Sequence, residues 1–314
     1  MNSNRISFYK IMDGNCIESY LKAGKAIKAA KELARTLIKP GMTFLEIANK
    51  CEEEIINQGC ELSFPINLSL DNHAAHYSPT IDDPTIVPDR GLLKIDLGSH
   101  NDGYIADSAI TININDDPEL QNYVDAATEA LDAAIKLFKP GTKLYEIGEA
   151  IAEKILNRGL RPITNLGGHE LKQYNLHAGP FIPNFKDLNH KKVIQPGEVY
   201  ACEPFATSGV GIVVNGKTSY IYRFAKRVKK NIPYNELNYM NKIEKLTNSL
   251  PFSPRLIEKH NIIPKNKIQK IIDIFIRKKI LDHYPLLIEK TGAPVAQQEH
   301  TILIDLDGNS IVTT

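Results

Sequence analysis

The chain has 314 residues, 42% hydrophobic and 24% charged, and its 38 basic and 37 acidic side chains leave a formal net charge of +1. That composition belongs to a globular protein with a sizeable core, one large domain or two modest ones, and excludes general disorder and a globally steered nucleic-acid or membrane binder. No apolar run approaches the ~20 residues of a membrane span, and the first ten residues lack the apolar core of a signal peptide, so a cytoplasmic location is expected.

In chain order, the first signal is a repeat with an offset of 100 residues. Leu37-Ile-Lys-Pro-Gly41, followed by Glu46-Ile47 and Gly59, recurs as Leu137-Phe-Lys-Pro-Gly141, Glu146-Ile147 and Gly159. Ten of the 23 positions are identical, with Glu53, Ile55 and Asn57 among them. Each copy reads as a helix, a Lys-Pro-Gly break and a second helix closed by Gly. Duplication makes the fold class α+β, with two pseudo-symmetric halves at about 1–117 and 118–314.

Strands follow each helical pair. Gly91–Gly98 and Ile105–Ile114 form a β-pair joined by a turn at Asn101-Asp-Gly103. Glu198–Pro204 opens after Gln195-Pro-Gly197, and His300–Asp305 with Ser310–Thr313 reads as a closing hairpin. Between them, residues 223–279 carry 15 Lys/Arg against four Asp/Glu. Ser253-Pro254 is an N-cap and N1 pair, and Ile268, Ile271, Ile272 and Phe275 recur at helical spacing over 265–281. Roughly 235–285 reads as a helical insertion. The four cysteines, Cys16, Cys51, Cys60 and Cys202, make no CxxC pair and read as small buried hydrophobes.

Four acids sit in apolar strand sequence: Asp96 in Leu92-Leu-Lys-Ile-Asp-Leu, Asp107 after Tyr104-Ile-Ala, Glu203 after Val199-Tyr-Ala-Cys, and Glu299 before His300-Thr-Ile-Leu-Ile. A buried carboxylate is costly unless it is paired, hydrogen-bonded or bound to a metal. Each alone could be a satisfied structural acid; four together point elsewhere. His169 in Leu166-Gly-Gly-His and His177 in Leu176-His-Ala-Gly lie in a glycine-containing stretch where binding residues collect. An oxygen-rich set with one imidazole favours Mn, Fe or Co, with Zn open, over a thiolate site. Four carboxylates match two divalent ions, so the chemistry suggests a two-metal hydrolase.

At these residues the sequence resembles the type 2 methionine aminopeptidases, in their compact archaeal-like form. The resemblance runs over essentially the whole chain: Phe64-Pro65, Asn72-His-Ala-Ala-His-Tyr77, Lys94-Ile-Asp-Leu-Gly98, Asp102-Gly-Tyr-Ile-Ala-Asp107, Gly168-His169, His177-Ala-Gly179, Glu203-Pro-Phe205 and Gln298-Glu-His-Thr-Ile-Leu303. The long gap from Glu203 to Glu299 is what separates type 2 from type 1. The resemblance implies a pita-bread fold in a single metallopeptidase domain over 1–314, with a winged-helix-like insertion. It implies two divalent ions (Co, Mn, Fe or Zn) held by Asp96, Asp107, His169, Glu203 and Glu299, Asp107 and Glu299 bridging. Hydroxide made by the metal pair would attack the first peptide bond of a nascent chain, with Glu203 as proton shuttle. His76 and His177 would hydrogen-bond the scissile peptide and its oxyanion, and Phe64, Leu176 and Tyr284 would form the methionine pocket, with a small second residue preferred. Two departures from the eukaryotic type 2 pattern stand out: Ser219-Tyr-Ile-Tyr222 has no pocket histidine, and Pro204 follows the glutamate.

Two relatives by fold are set aside on the same residues. A binding protein on this scaffold would have lost one of the five ligand positions, and all five are present. A proline-specific peptidase would carry a substantial extra N-terminal domain ahead of Asp96. The basic stretch also raises transient docking on ribosomal RNA through Arg223, Lys226, Arg227, Lys229 and Lys230, against the plainer reading of a solvated lysine-rich face. A monomer with no membrane and no specific DNA partner is the expectation.

Overall fold

The structure, a computed structural model, describes residues 14–225 and 232–314. Lys226, Arg227, Lys229 and Lys230 of the basic stretch lie outside the described residues. Helices α1 (Gly14–Leu37) and α2 (Phe44–Asn57) open the first half, followed by β1 (Glu61–Leu70), β2 (His73–Ala75), β3 (Gly91–Asn101) and β4 (Tyr104–Ile114). Ala23, Ala26, Ile27, Ala30 and Ala34 line one face of α1 at three- and four-residue spacing, and the small side chains let the helix sit close on the sheet. The Thr43 hydroxyl accepts from Glu46 N at 3.2 Å and caps α2. Behind α2, Gly59 takes φ +72°, the left-handed stop that the sequence places there.

The second half repeats the plan with α3 (Pro118–Ile135), α4 (Leu144–Asn157), β5 (Arg161–Pro162), β6 (Gly167–Leu171), β7 (Phe181–Pro183), β8 (Val199–Cys202), β9 (Phe205–Thr207) and β10 (Val213–Phe224). The duplication extends to backbone hydrogen bonds. Gly41 N donates to Val87 O at 2.8 Å, and Gly141 N donates to Ile194 O at 3.1 Å. Thr43 bridges Ile86 as Lys143 bridges Val193. Each Lys-Pro-Gly corner therefore anchors a loop of its own half.

Helices α5 (Tyr234–Thr247), α6 (Pro254–Lys259) and α7 (Ile268–Arg277) come next, with a core of their own built on Met240, Ile243, Phe252, Ile257, Ile272 and Phe275. The chain closes with β11 (Leu281–Glu289), β12 (Val295–Gln297), β13 (His300–Ile304) and β14 (Ser310–Val312). The sequence places 265–285 in the helical insertion; in the structure α7 stops at Arg277, Lys279 turns left-handed at φ +54°, and 281–289 is a strand paired with β10. Tyr284 therefore stands on a strand, where cross-strand pairing with Ile221 overrides the helical trend of the preceding residues.

The sheets run β1-β3-β4, β10-β11-β2, β12-β9-β5 and β14-β13-β8-β6-β7. First-half β2 completes a second-half sheet, and the halves also meet where β4 passes β13. There Thr301 Oγ1 accepts from Asp107 N at 2.8 Å and donates to Asp107 O at 2.7 Å, and Ser108 Oγ donates to Glu299 O at 2.5 Å. That seam carries two of the candidate ligands. All four cysteines are buried and none is in a disulfide.

Candidate metal centre and active site

Antiparallel pairing explains the placement of the first two acids. Asp96 lies opposite Ala109, and Asp107 lies opposite Gly98. The two are thus diagonal neighbours on one face of the β3–β4 pair. His169, in the middle of β6, is opposite Ala201 of β8, and Glu203 follows β8 directly. Glu299 precedes β13, its N–H donating to Ala109 O at 3.0 Å. Two strands of the first half and three of the second thus deliver the five side chains to one cleft.

That cleft is a cavity of about 220 Å³, and all ten residues singled out from the sequence line it: Phe64, His76, Asp96, Asp107, His169, Leu176, His177, Glu203, Tyr284 and Glu299. The Asp107, His169 and Glu299 donor atoms lie within 4.8 Å of one another; Asp96 and Glu203 stand outside that tightest group. His169 Nε2 is 3.6 Å from Asp107 Oδ2 and 3.7 Å from Glu203 Oε1, beyond hydrogen-bond distance.

Electrostatically the cleft is unbalanced. Burial pushes the Asp96 carboxyl up to about 7. Asp107, Glu203 and Glu299 are pushed well above the usual carboxylate range, first by burial and then by one another and Asp96. Among the described residues no Lys or Arg pairs with any of the four. Lys94 is also fully buried on the Asp96 face of β3, but it donates to Asp71 O at 2.6 Å instead. Asp96 Oδ1 is buried without a hydrogen-bond partner. Such crowding is stable only if protons or cations fill it. The donor set, four carboxylates and one imidazole, fits borderline-hard divalent cations and offers no thiolate to softer ones.

Around this centre the histidines are neutral. Burial lowers His76 to about 4 and His177 well below its usual value, with His169, His76 and Arg223 adding to the latter. His76 Nδ1 is 3.1 Å from Pro285 O, and a carbonyl can only accept, so Nδ1 holds the proton and Nε2 presents a lone pair. His76 adopts φ +69°, a strained conformation for a side-chain-bearing residue at a site. Tyr284 packs edge-on against His76 at 5.3 Å between ring centroids, and His177 lies 4.5 Å from His169.

Three lining residues, Asn67, Ile221 and Pro251, and Gln297 beside two of the acids escape a reading of the sequence. Gln297 Nε2 donates to Glu203 Oε2 at 3.3 Å and Glu299 Oε2 at 3.4 Å; it sits two residues before Glu299, and period-two alternation could have found it. Asn67 lies opposite Asp96. Ile221 and Pro251 reach the cavity from β10 and the inserted segment, where no local signal marks them.

The pita-bread fold with a carboxylate-rich cleft defines a metallopeptidase scaffold. Residues 18–233 match metallopeptidase family M24, and the chain belongs to that family. The methionine aminopeptidase of Pyrococcus horikoshii is 38% identical over 297 residues, 95% of this chain and 99% of the relative. That of Methanothermobacter thermautotrophicus is 37% identical over 298 residues, 95% and 98% of the two chains. Within M24 the chain is a member of the methionine aminopeptidases. Among solved structures, a thermophilic Arx1 superposes with TM-score 0.84 at 16% identity, covering 96% of this chain and 91% of that one. The methionine aminopeptidase of Thermotoga maritima gives 0.70 at 21% identity, with 97% and 98% covered. These two likenesses show the fold alone.

Proposed function

We propose that the protein removes the N-terminal methionine from polypeptides as a type 2 methionine aminopeptidase, one catalytic domain acting as a cytoplasmic monomer. The observation that carries this reading is the convergence of four uncompensated buried carboxylates and His169 in one cavity with Phe64, Leu176 and Tyr284. Asp96, Asp107, His169, Glu203 and Glu299 would hold two divalent cations (Mn, Co, Fe or Zn). When bound, such a pair supplies a water of lowered pKa and a Lewis acid for the carbonyl.

The chain's own groups do the rest. Glu203 carries the proton from the attacking water to the leaving amine. Gln297 keeps the Glu203 and Glu299 carboxylates in place. The free lone pair of His76 accepts from the scissile N–H, and neutral His177 donates toward the developing oxyanion. Phe64, Leu176 and Tyr284 enclose the methionine side chain, and the small volume of the cleft, about 220 Å³, favours a small second residue. The basic segment at 223–279 remains a secondary proposal as a ribosome contact.

The test is release of free Met from Met-Ala-Ser by metal-stripped protein and by protein reloaded with Mn or Co. Met-Leu-Ser and Ala-Ala-Ser serve as controls. Metal-dependent cleavage of the first peptide alone is expected; no cleavage with any divalent ion by folded protein would falsify the reading.

A further inference from the structure

Arg255 sits on α6, outside the cavity, and is only 6% exposed. Four of its five guanidinium N–H groups bond to the first half. Nη2 and Nη1 donate to Glu52 Oε1 and Oε2 at 2.6 and 2.8 Å, Nη1 also to Asn49 Oδ1 at 3.0 Å, and Nε to Pro79 O at 2.9 Å. The same Glu52 Oε1 accepts from Ile66 N of β1 at 3.2 Å.

One carboxylate thus anchors two walls of the active-site cavity. Ile66 is two residues beyond Phe64, and Arg255 is four residues beyond Pro251; both Phe64 and Pro251 line the cavity. The run Leu250-Pro-Phe-Ser-Pro-Arg255 is stiffened by its prolines. It is further tied by reciprocal Phe252–Tyr222 backbone bonds of 2.9 and 2.8 Å, so a shift of Arg255 is transmitted to Pro251. A groove of about 670 Å³ shares Phe64 and Pro251 with the cavity and is also lined by Glu52 and Arg255. Phe64 belongs to a buried apolar cluster with Leu176 and Leu250 and sits against Gly98; the bidentate ion pair adds a directional constraint that such packing alone lacks.

We propose that Arg255 and Glu52 form a positioning pair that sets the width of the pocket for the substrate's first side chain. The pair acts through Phe64 and Pro251 and touches neither substrate nor metal. This inference rests on the aminopeptidase reading above.

The test measures kcat and KM for Met-Ala-Ser and Leu-Ala-Ser with wild type, Arg255→Met, Glu52→Gln and the double variant, together with Mn binding by titration. KM for the Met peptide should rise about tenfold with kcat within about twofold, the pattern of lost ground-state and transition-state binding alike. Preference for Met over Leu should fall, Mn binding should hold, and the double variant should be no worse than either single one. Asn49→Ala, which removes one hydrogen bond, should show a smaller change in the same direction and decides the question if Arg255→Met does not fold. Unchanged KM and Met/Leu preference in folded variants, or a loss confined to kcat, overturns the pair's role while leaving the peptidase reading intact. A wild type that releases no Met overturns both.

Discussion

Asp96→Asn should make the metal-free protein more stable at pH 7.5 while removing its response to metal. Burial raises the Asp96 carboxyl from its ordinary 3.8 to about 7. Between those values the native state keeps a proton that the unfolded chain has released, so native stability falls as pH rises through that window. At about 1.4 kcal/mol per tenfold change in proton affinity, the ionised group costs the native state up to about 4 kcal/mol at pH 7.5. Asparagine has the same shape and no proton to lose, and it also relieves Asp107, Glu203 and Glu299, each raised in part by Asp96. Urea melts in chelator at pH 4.5 and 7.5 would measure this: a gain of about 2–4 kcal/mol at the higher pH and little at the lower is expected. Added Mn at 100 times its dissociation constant should stabilise wild type by about 2.7 kcal/mol and the variant by much less. Equal effects at both pH values, or a variant less stable at pH 7.5, would show that the carboxylates do not crowd one another as the geometry says.

Glu203→Gln should cut kcat by at least ~10²-fold, the usual contribution of a positioned proton carrier, while Mn still protects the fold in thermal melts; near-normal turnover would remove Glu203 from the proton path. At Gly98 an added Cβ would lie 2.1 Å from the Phe64 ring. Gly98→Ala should therefore displace Phe64 and raise KM for Met-Ala-Ser, and steady-state kinetics with KM unmoved would count against Phe64 as pocket wall. At Gly24 an added Cβ would meet Thr313 O at 2.2 Å. Gly24→Ala should destabilise the protein by about 1–3 kcal/mol through overpacking of α1 on the C-terminal segment, read by urea unfolding, and an unchanged midpoint would refute that contact.

The sequence alone determined much of this molecule. The 100-residue repeat carried the two-half plan because Pro and Gly dictate local backbone geometry wherever they fall, as Gly41 and Gly141 show with φ +84° and +97°. Strand alternation carried the site for a similar reason. A carboxylate next to apolar strand residues is anomalous on one-dimensional grounds, so Asp96, Asp107, Glu203 and Glu299 stood out together, though each alone reads as a structural acid. The end of the insertion was not legible in this way. Residues 278–285 have no strong local preference, and pairing of β11 with β10 decided that Tyr284 stands on a strand. Only the tertiary structure placed Ile221 and Pro251 on the cavity and joined Glu52 to Arg255 across 203 residues of chain. A buried ion pair needs both partners at once, and neither Glu52 in a helix nor Arg255 after a proline differs in its local sequence from an exposed charge. What a residue does by itself can be read along the chain; what it does for a distant partner is settled by the packing that brings the two together.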